Sequence, residues 1–362
     1  MNVRTLLVIG DRIDARAVSD APRRDFDVLA ERLGADVLHA GALDGGEGRA
    51  RSGFGLARLA AARARAYDAV YCDSEHIGIP LALLLRGARP GPRLTVLAHY
   101  LTPLKKRALI RLLRPQGRID CLVVHSQAQA RRARSLGFGD GKLTVVPYQV
   151  DAAFWRPQPG GEACIASAGQ EFRDYLTLMR AVEGRAVEVR IAAGSHWSTR
   201  RATFSGADVP ANVTVRRRSY VELRDLYASA PFVVVPLLDV DFQAGIITIL
   251  EAMAMGKCVV VSRTRGQRGV VSGPLMRHGT LSDIGEHAWP EDTGIYVPPG
   301  DATSLGDAID YLLARPDRAR AMGAAARRQV EAGFTVEQFA ERLGGLIAPG
   351  TTRAAMPAGA SS

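Results

Sequence analysis

The sequence predicts an α/β protein made of two parallel-sheet halves with a ligand cleft between them. Short apolar runs alternate with amphipathic helical stretches along most of the chain. That is the rhythm of strands covered on both faces. It breaks once, at Phe154-Trp155-Arg156-Pro157-Gln158-Pro159-Gly160-Gly161, where two prolines and two glycines mark a linker, and then restarts. With 362 residues, 47% of them hydrophobic, the chain can supply a core to each half. Clefts at domain interfaces are the usual seats of ligands.

In the first half, Thr5–Ile9, Ala69–Cys72, Leu94–Ala98, Cys121–His125 and Leu143–Val146 read as strands, with helices at Gly55–Ala66 and Leu104–Leu113. The second half offers six strands: Ala163–Ala168, Val187–Ala193, Val213–Val215, Phe232–Leu237, Cys258–Ser262 and Ile295–Val297. Helices at Val221–Ser229 and Ile246–Met255 separate some of them. Three helices close the chain, Ser304–Leu313, Arg318–Ala332 and Val336–Leu346. The expected domains are 1–155 and 162–332. Helix 335–347 is expected to pack back onto the first domain. The Gly/Ala/Thr/Ser/Pro tail 348–362 is expected to be disordered.

Composition narrows the class. Cys72, Cys121, Cys164 and Cys258 lie far apart without CxxC spacing, so they read as buried hydrophobes rather than a zinc or redox site. The N-terminal apolar run is too short for a secretory segment, and no run is long enough to span a membrane. The expected location is the cytoplasm, extending to the inner face of the membrane. A net charge of +10 favours anionic partners. Nucleic acid is not among the expected partners, because the arginines are not interleaved with stacking aromatics.

The chemistry concentrates in Phe232–Ser262. A buried strand runs into a loop, a helix opens at Gly245, and a second strand follows Gly256. Glycine at a helix start lets a ligand approach the backbone. The free N–H groups and the helix dipole there favour an anion such as a diphosphate. Glu251 lies on the same helix, eight residues after Gln243. A carboxylate at such a place accepts hydrogen bonds from a ribose diol. The same residues would also suit a plain helix packed on a sheet, with Glu251 on its solvated face.

The stretch from Gln243, Q-A-G-I-I-T-I-L-E-A-M-A-M-G-K-C-V-V, resembles the donor-binding motif of retaining GT-B glycosyltransferases of group 1, the glycogen synthase-like family. Leu143–Trp155, Ala166–Leu178, Ser219–Ala230 and Thr293–Asp301 resemble further family segments in the same order. Together they cover roughly residues 90–345. The resemblance implies two Rossmann-like domains and a nucleotide-diphosphate sugar donor held by the C-terminal one. The acceptor, a small molecule or a lipid-linked one, stays unidentified. In the family the motif holds two glutamates eight residues apart. Here the second is Glu251 and the first is replaced by Gln243, whose amide still donates and accepts but carries no charge. The basic residue of the loop after the first strand of the second half is Arg173, so the phosphate role falls to it. The resemblance thus assigns the diphosphate to Arg173 and to the helix start Gly245, Ile246 and Ile247, the ribose to Glu251, and the sugar to Gln243.

His99 ends the strand Leu94–Ala98, and ligand sites in parallel sheets lie beyond the carboxyl ends of strands. Relatives place a histidine near the donor sugar, so His99 is the candidate catalytic contact. A capping histidine is the plainer reading. Asp239-Val240-Asp241 has the pattern of a metal-holding pair, but the resemblance implies no metal and no other cofactor. Gly10-Asp11-Arg12 departs from the Gly-Gly of the family, which leaves the acceptor class open. Lys105–Arg134 holds a basic cluster of Lys105, Lys106, Arg107, Arg111, Arg114, Arg118, Arg131, Arg132 and Arg134, with Leu104, Ala108, Leu109, Leu112 and Leu113 interleaved at helical spacing. A solvated face over a buried stripe is the commoner reading, and weak contact with an anionic membrane surface the other. Two rival functions remain. Gln243 suits a catalytically weak or inactive nucleotide-sugar-binding protein, and the same fold also serves nucleotide-sugar epimerases.

Overall fold

The structure, a computed structural model, describes residues 3–11, 20–42, 49–87, 90–161, 164–193, 209–285 and 289–349. It divides into two compact units. Among the described residues the first unit holds 3–11, 24–147 and 337–349, and the second holds 20–23 and 148–336.

The first unit strings together β1 (Thr5–Ile9), α1 (Asp25–Leu33), β2 (Asp36–His39), α2 (Arg49–Arg63), β3 (Ala69–Cys72), α3 (Glu75–Leu84), β4 (Arg93–Ala98), α4 (Leu104–Leu113), β5 (Cys121–Val124), α5 (Gln127–Ser135) and β6 (Leu143–Val145). Its six strands are parallel, in the order β2-β1-β3-β4-β5-β6. One sheet face packs on Leu56, Ala60, Ile77, Leu81 and Ile110, the other on Phe26, Leu29, Phe339 and Leu343. Strands wet on neither face need apolar residues at every position, which explains the unbroken runs TLLVI and CLVV.

The second unit contains β7 (Ile165–Ala168), α6 (Tyr175–Val182), β8 (Val189–Ala192), β9 (Val213–Arg216), α7 (Tyr220–Ala228), β10 (Phe232–Val235), α8 (Ile246–Ala254), β11 (Cys258–Ser262), β12 (Leu275–Arg277), β13 (Thr280–Ser282), β14 (Gly294–Val297), α9 (Ala302–Leu313) and α10 (Pro316–Gly333). Its sheet runs β13-β12-β14-β11-β10-β7-β8-β9, parallel except for the β12–β13 hairpin. The last helix, α11 (Val336–Ile347), lays Phe339, Ala340, Leu343 and Ile347 against the first sheet beside Leu7 and Ile9.

Three expectations change. The crossover lies at Pro147–Tyr148, not at the Pro/Gly segment, because Trp155 is 1% exposed and packs into the second core with its ring 5.7 Å from that of Tyr227. Helices α1, α3 and α5 and strand β2 escape a reading of hydrophobic rhythm. Helix α3 carries Gly78 and Pro80, both helix breakers by propensity, and α5 buries only Ala130 and Ala133. The apolar stripe of α4 is not buried. Only Ile110 reaches the core, while Leu104 and Leu112 are 76% and 79% exposed. All four cysteines are buried and free. Arg12 and tail residues 350–362 lie outside the described residues.

Candidate functional site

In the second unit, β7 and β10 are neighbouring parallel strands, so their carboxyl ends open at one edge of the sheet. The loops leaving them are stitched together. Leu238 N–H donates to Phe172 O at 3.0 Å, and Asp174 N–H to Pro236 O at 3.0 Å. Phe172 sits between these bonds at φ 58°, in the left-handed region. A bulky residue there costs about 1–2 kcal/mol. The stitching and an edge-on contact with the Phe242 ring, 4.9 Å away, hold it in place. Such strain clusters at functional loops.

Arg173 lies at the centre of the stitch, opposite Leu237, and is 8% exposed. Its Nε donates to Ala168 O at 2.8 Å, Nη1 to Glu171 O at 2.9 Å and Nη2 to Thr248 Oγ1 at 2.9 Å. A guanidinium has five N–H groups, so each Nη keeps one beyond these three bonds. Two glycines make room for it. A Cβ on Gly169, at φ 96°, would lie 2.2 Å from Arg173 Nη2. A Cβ on Gly245, at φ 75°, would lie 2.9 Å from Leu237 Cδ2 and 3.4 Å from Arg173 Nη1.

Gly245 is also the N-cap of α8. Ile246 is buried in the core, whereas Ile247 is 45% exposed. The first-turn N–H groups have no partners within the helix, and the positive end of the dipole adds to the buried charge of Arg173 directly behind it. Fixed positive charge and free donors at a strand-end edge can hold a diphosphate without rearranging.

The two remaining donor-side residues differ from a simple exposed pair. Gln243 is half-buried, and its Nε2 donates to Arg268 O at 3.4 Å. Glu251 does not stand on a solvated face. It is 7% exposed, and its Oε2 accepts from Tyr227 Oη at 3.2 Å. Burial pushes its pKa up to about 8, with the Tyr227 hydrogen bond and the Arg173 charge opposing. The structure therefore gathers Arg173, Gly245, Ile246 and Ile247 at one edge and sets Glu251 deeper, against α7.

Asp239 is committed to Arg265, accepting from its backbone N–H at 2.9 Å and its Nε at 3.1 Å.

In the first unit, His99 is exposed at the end of β4. Its backbone N–H donates to Glu75 Oε2 at 3.0 Å, its carbonyl accepts from Gln129 Nε2 at 2.8 Å, and its Nε2 lies 2.9 Å from Asp73 O. Glu75 is buried, which alone would raise its pKa, but the Lys106 ammonium beside it and the His99 N–H hold it below the usual range. Asp73 is pushed up to about 7 by burial, against a hydrogen bond from Gly10 N–H and with the Asp11, Asp25 and Glu75 charges adding to the rise. His125, its ring 5.3 Å from that of His99, is lowered to about 3 by burial and by the neighbouring imidazole. Sequence reasoning singled out His99 as a candidate but not this titratable surround. Asp73 directly follows β3 and His125 directly follows β5, so the strand-end rule that found His99 would have found both.

A family model, Glycosyl transferases group 1, matches residues 173–315. The D-inositol 3-phosphate glycosyltransferase of Kineococcus radiotolerans is 30% identical over 246 residues, covering 59% of this chain and 54% of that relative, so the match spans about half of the relative's length. Sucrose-phosphate synthase from Thermosynechococcus elongatus superposes with TM-score 0.69 at 18% identity, covering 95% of this chain and 98% of that one. Anabaena HepE, solved with UDP-glucose, gives 0.62 at 14% identity over 94% and 98%. A UDP-forming trehalose-phosphate synthase from Burkholderia vietnamiensis gives 0.59 at 14% over the same shares. With two parallel-dominated sheets, a stitched strand-end edge and these superpositions, the chain has the GT-B fold, and its residues 173–315 match the Glycosyl transferases group 1 model.

Proposed function

We propose that the chain is a retaining glycosyltransferase that uses a nucleotide-diphosphate sugar, with UDP-sugars as the first donor class. The observation that carries this is the Arg173 guanidinium, buried and fixed behind the first turn of α8. A cation in that place meets the charge that develops on a departing diphosphate. HepE, which shares the fold, was solved with UDP and with UDP-glucose, and this supports the choice of base.

In the proposed reaction the bond between the sugar C1 and the β-phosphate oxygen breaks. The acceptor hydroxyl oxygen bonds to C1 on the same face, and its proton passes to the departing phosphate. Arg173 and the N–H groups of Gly245, Ile246 and Ile247 take the diphosphate. Glu251 takes the ribose diol, and Gln243 takes sugar hydroxyls. Binding a diol favours the ionised form of Glu251, so donor binding should release a proton near pH 8.

A second reading is a donor-binding protein with weak turnover. Gln243 favours it: an amide still donates to and accepts from hydroxyls, but brings no negative charge to a sugar carbon that becomes positive in the transition state. A thermal-shift series with UDP, GDP, ADP and their sugars, followed by UDP release from whichever sugar binds, separates the readings. Stabilisation with release supports the transferase, and stabilisation without release, with or without acceptors, supports the binding protein. No stabilisation by any nucleotide sinks both.

A further inference from the structure

Helix α4 turns its apolar side away from the core. Leu104, Ala108 and Leu112 recur every fourth residue and form one ridge, and all three are exposed. Nothing in the first unit's core calls for them, since Ile110 alone on this helix is buried there. The ridge continues through Leu109, 44% exposed, into a groove of about 420 Å³ lined by Phe54, Ile79, Pro80, Leu83 and Leu84 together with His76 and the Glu75–Lys106 ion pair. Of these, Phe54 and Leu84 are themselves 51% and 45% exposed. A contiguous apolar surface of this kind marks an interaction site.

Charge identifies the occupant. Between residues 101 and 119 the sequence has no Asp or Glu, whereas Lys105, Arg107 and Arg111 lie on the same helix as the ridge and Arg114 at its C-cap. Lys106, the remaining cation, is turned inward to buried Glu75 and to Tyr100 O. An apolar ridge with cations beside it and no acid fits a bilayer of anionic lipid, where leucines enter the acyl boundary and the cations stay among the headgroups. A protein groove would offer its own mixture of charges. We infer that α4 is a membrane-surface helix, seating the first unit on anionic lipid through Leu104, Leu109 and Leu112 with Lys105 and Arg111 at the headgroups. Only Tyr100–Pro103 separate this helix from His99, so docking would place the strand-end edge of the first unit beside the lipid surface. The inference does not depend on the donor reading.

The test is sedimentation of the full chain with phosphatidylcholine vesicles, alone and mixed with phosphatidylglycerol. Expected is binding to the mixed vesicles that weakens with salt, little binding to the neutral ones, and a roughly tenfold or greater loss in Leu104→Ser/Leu112→Ser. Both positions are exposed, so the variant should keep the wild-type melting temperature, measured alongside. A Lys105→Glu/Arg111→Glu variant should lose the preference for the mixed vesicles. Wild-type protein that stays in the supernatant with anionic vesicles would overturn the inference. So would unchanged binding in the leucine variant. A ridge that instead pairs two copies, seen as a concentration-dependent dimer abolished by the leucine variant and indifferent to vesicles, would also overturn it.

Discussion

Arg173 Nη2 donates to Thr248 Oγ1 across 2.9 Å, tying the loop after β7 to the first turn of α8. The two segments lie 75 residues apart in sequence. One buried cation therefore both fixes the loop and charges the helix start.

Lysine at position 173 would keep the charge and lose the fork. Arg173→Lys is expected to weaken UDP affinity roughly tenfold to a hundredfold, the scale of a hydrogen bond to a charged group. Thr248→Val, which removes one acceptor and leaves the guanidinium in place, should cost about 1–2 kcal/mol in stability. Calorimetric titration with UDP and denaturant melts check the pair. Undiminished affinity in Arg173→Lys would take the guanidinium out of the donor site.

Gly245→Ala adds a methyl group at φ 75° within 2.9 Å of Leu237 Cδ2. Left-handed strain and the clash together are expected to cost about 1–3 kcal/mol and to displace the α8 start. The variant should melt earlier and bind UDP less well. Equal melting temperatures would show that the N-cap tolerates a side chain.

The carboxyl of Glu251 has a folded pKa of about 8 against an ordinary 4.5. The folded chain thus holds this proton where the unfolded chain has lost it. Its contribution to stability is complete below pH 4.5 and is lost as pH rises through 8, at about 1.4 kcal/mol per pH unit at most. Glu251→Gln removes the titrating group. Its stability should fall less steeply than wild type between pH 5 and 8, as read by urea melts at several pH values. Parallel curves would mean that Glu251 ionises normally in the folded protein.

Trp155 lies inside a Pro/Gly-rich stretch yet is buried against Tyr227 and beside Phe154. Trp155→Ala is expected to destabilise the second unit by about 3–5 kcal/mol. A residue in a free linker would cost almost nothing, so a melt distinguishes the two.

Much of the sheet framework was legible in the sequence, because parallel strands buried on both faces must be apolar throughout. FVVV and CVVVS admit little else. The edge elements were not. Strand β2 is four residues long with two exposed, and the β12–β13 hairpin has two three-residue strands, too short to establish a period. The helix start at Gly245 was readable from a glycine between strand and helix. The surroundings of Arg173 were not, since Gly169 and Thr248 meet it only through the fold. Glu251 also needed the structure: periodicity placed it on a helix, but only the packing of Tyr227 shows which way it faces. The outward leucines of α4 invert the usual pattern, which rewards burying such residues, so the reading of a buried stripe fails there.

The most direct test of the donor site is amide hydrogen exchange with and without saturating UDP. Protection is expected in two stretches, 169–174 and 243–251, and at neither stretch in Arg173→Ala. Protection elsewhere with both stretches unchanged, or no protection by any nucleoside diphosphate, would contradict a donor diphosphate held by Arg173 and the start of α8.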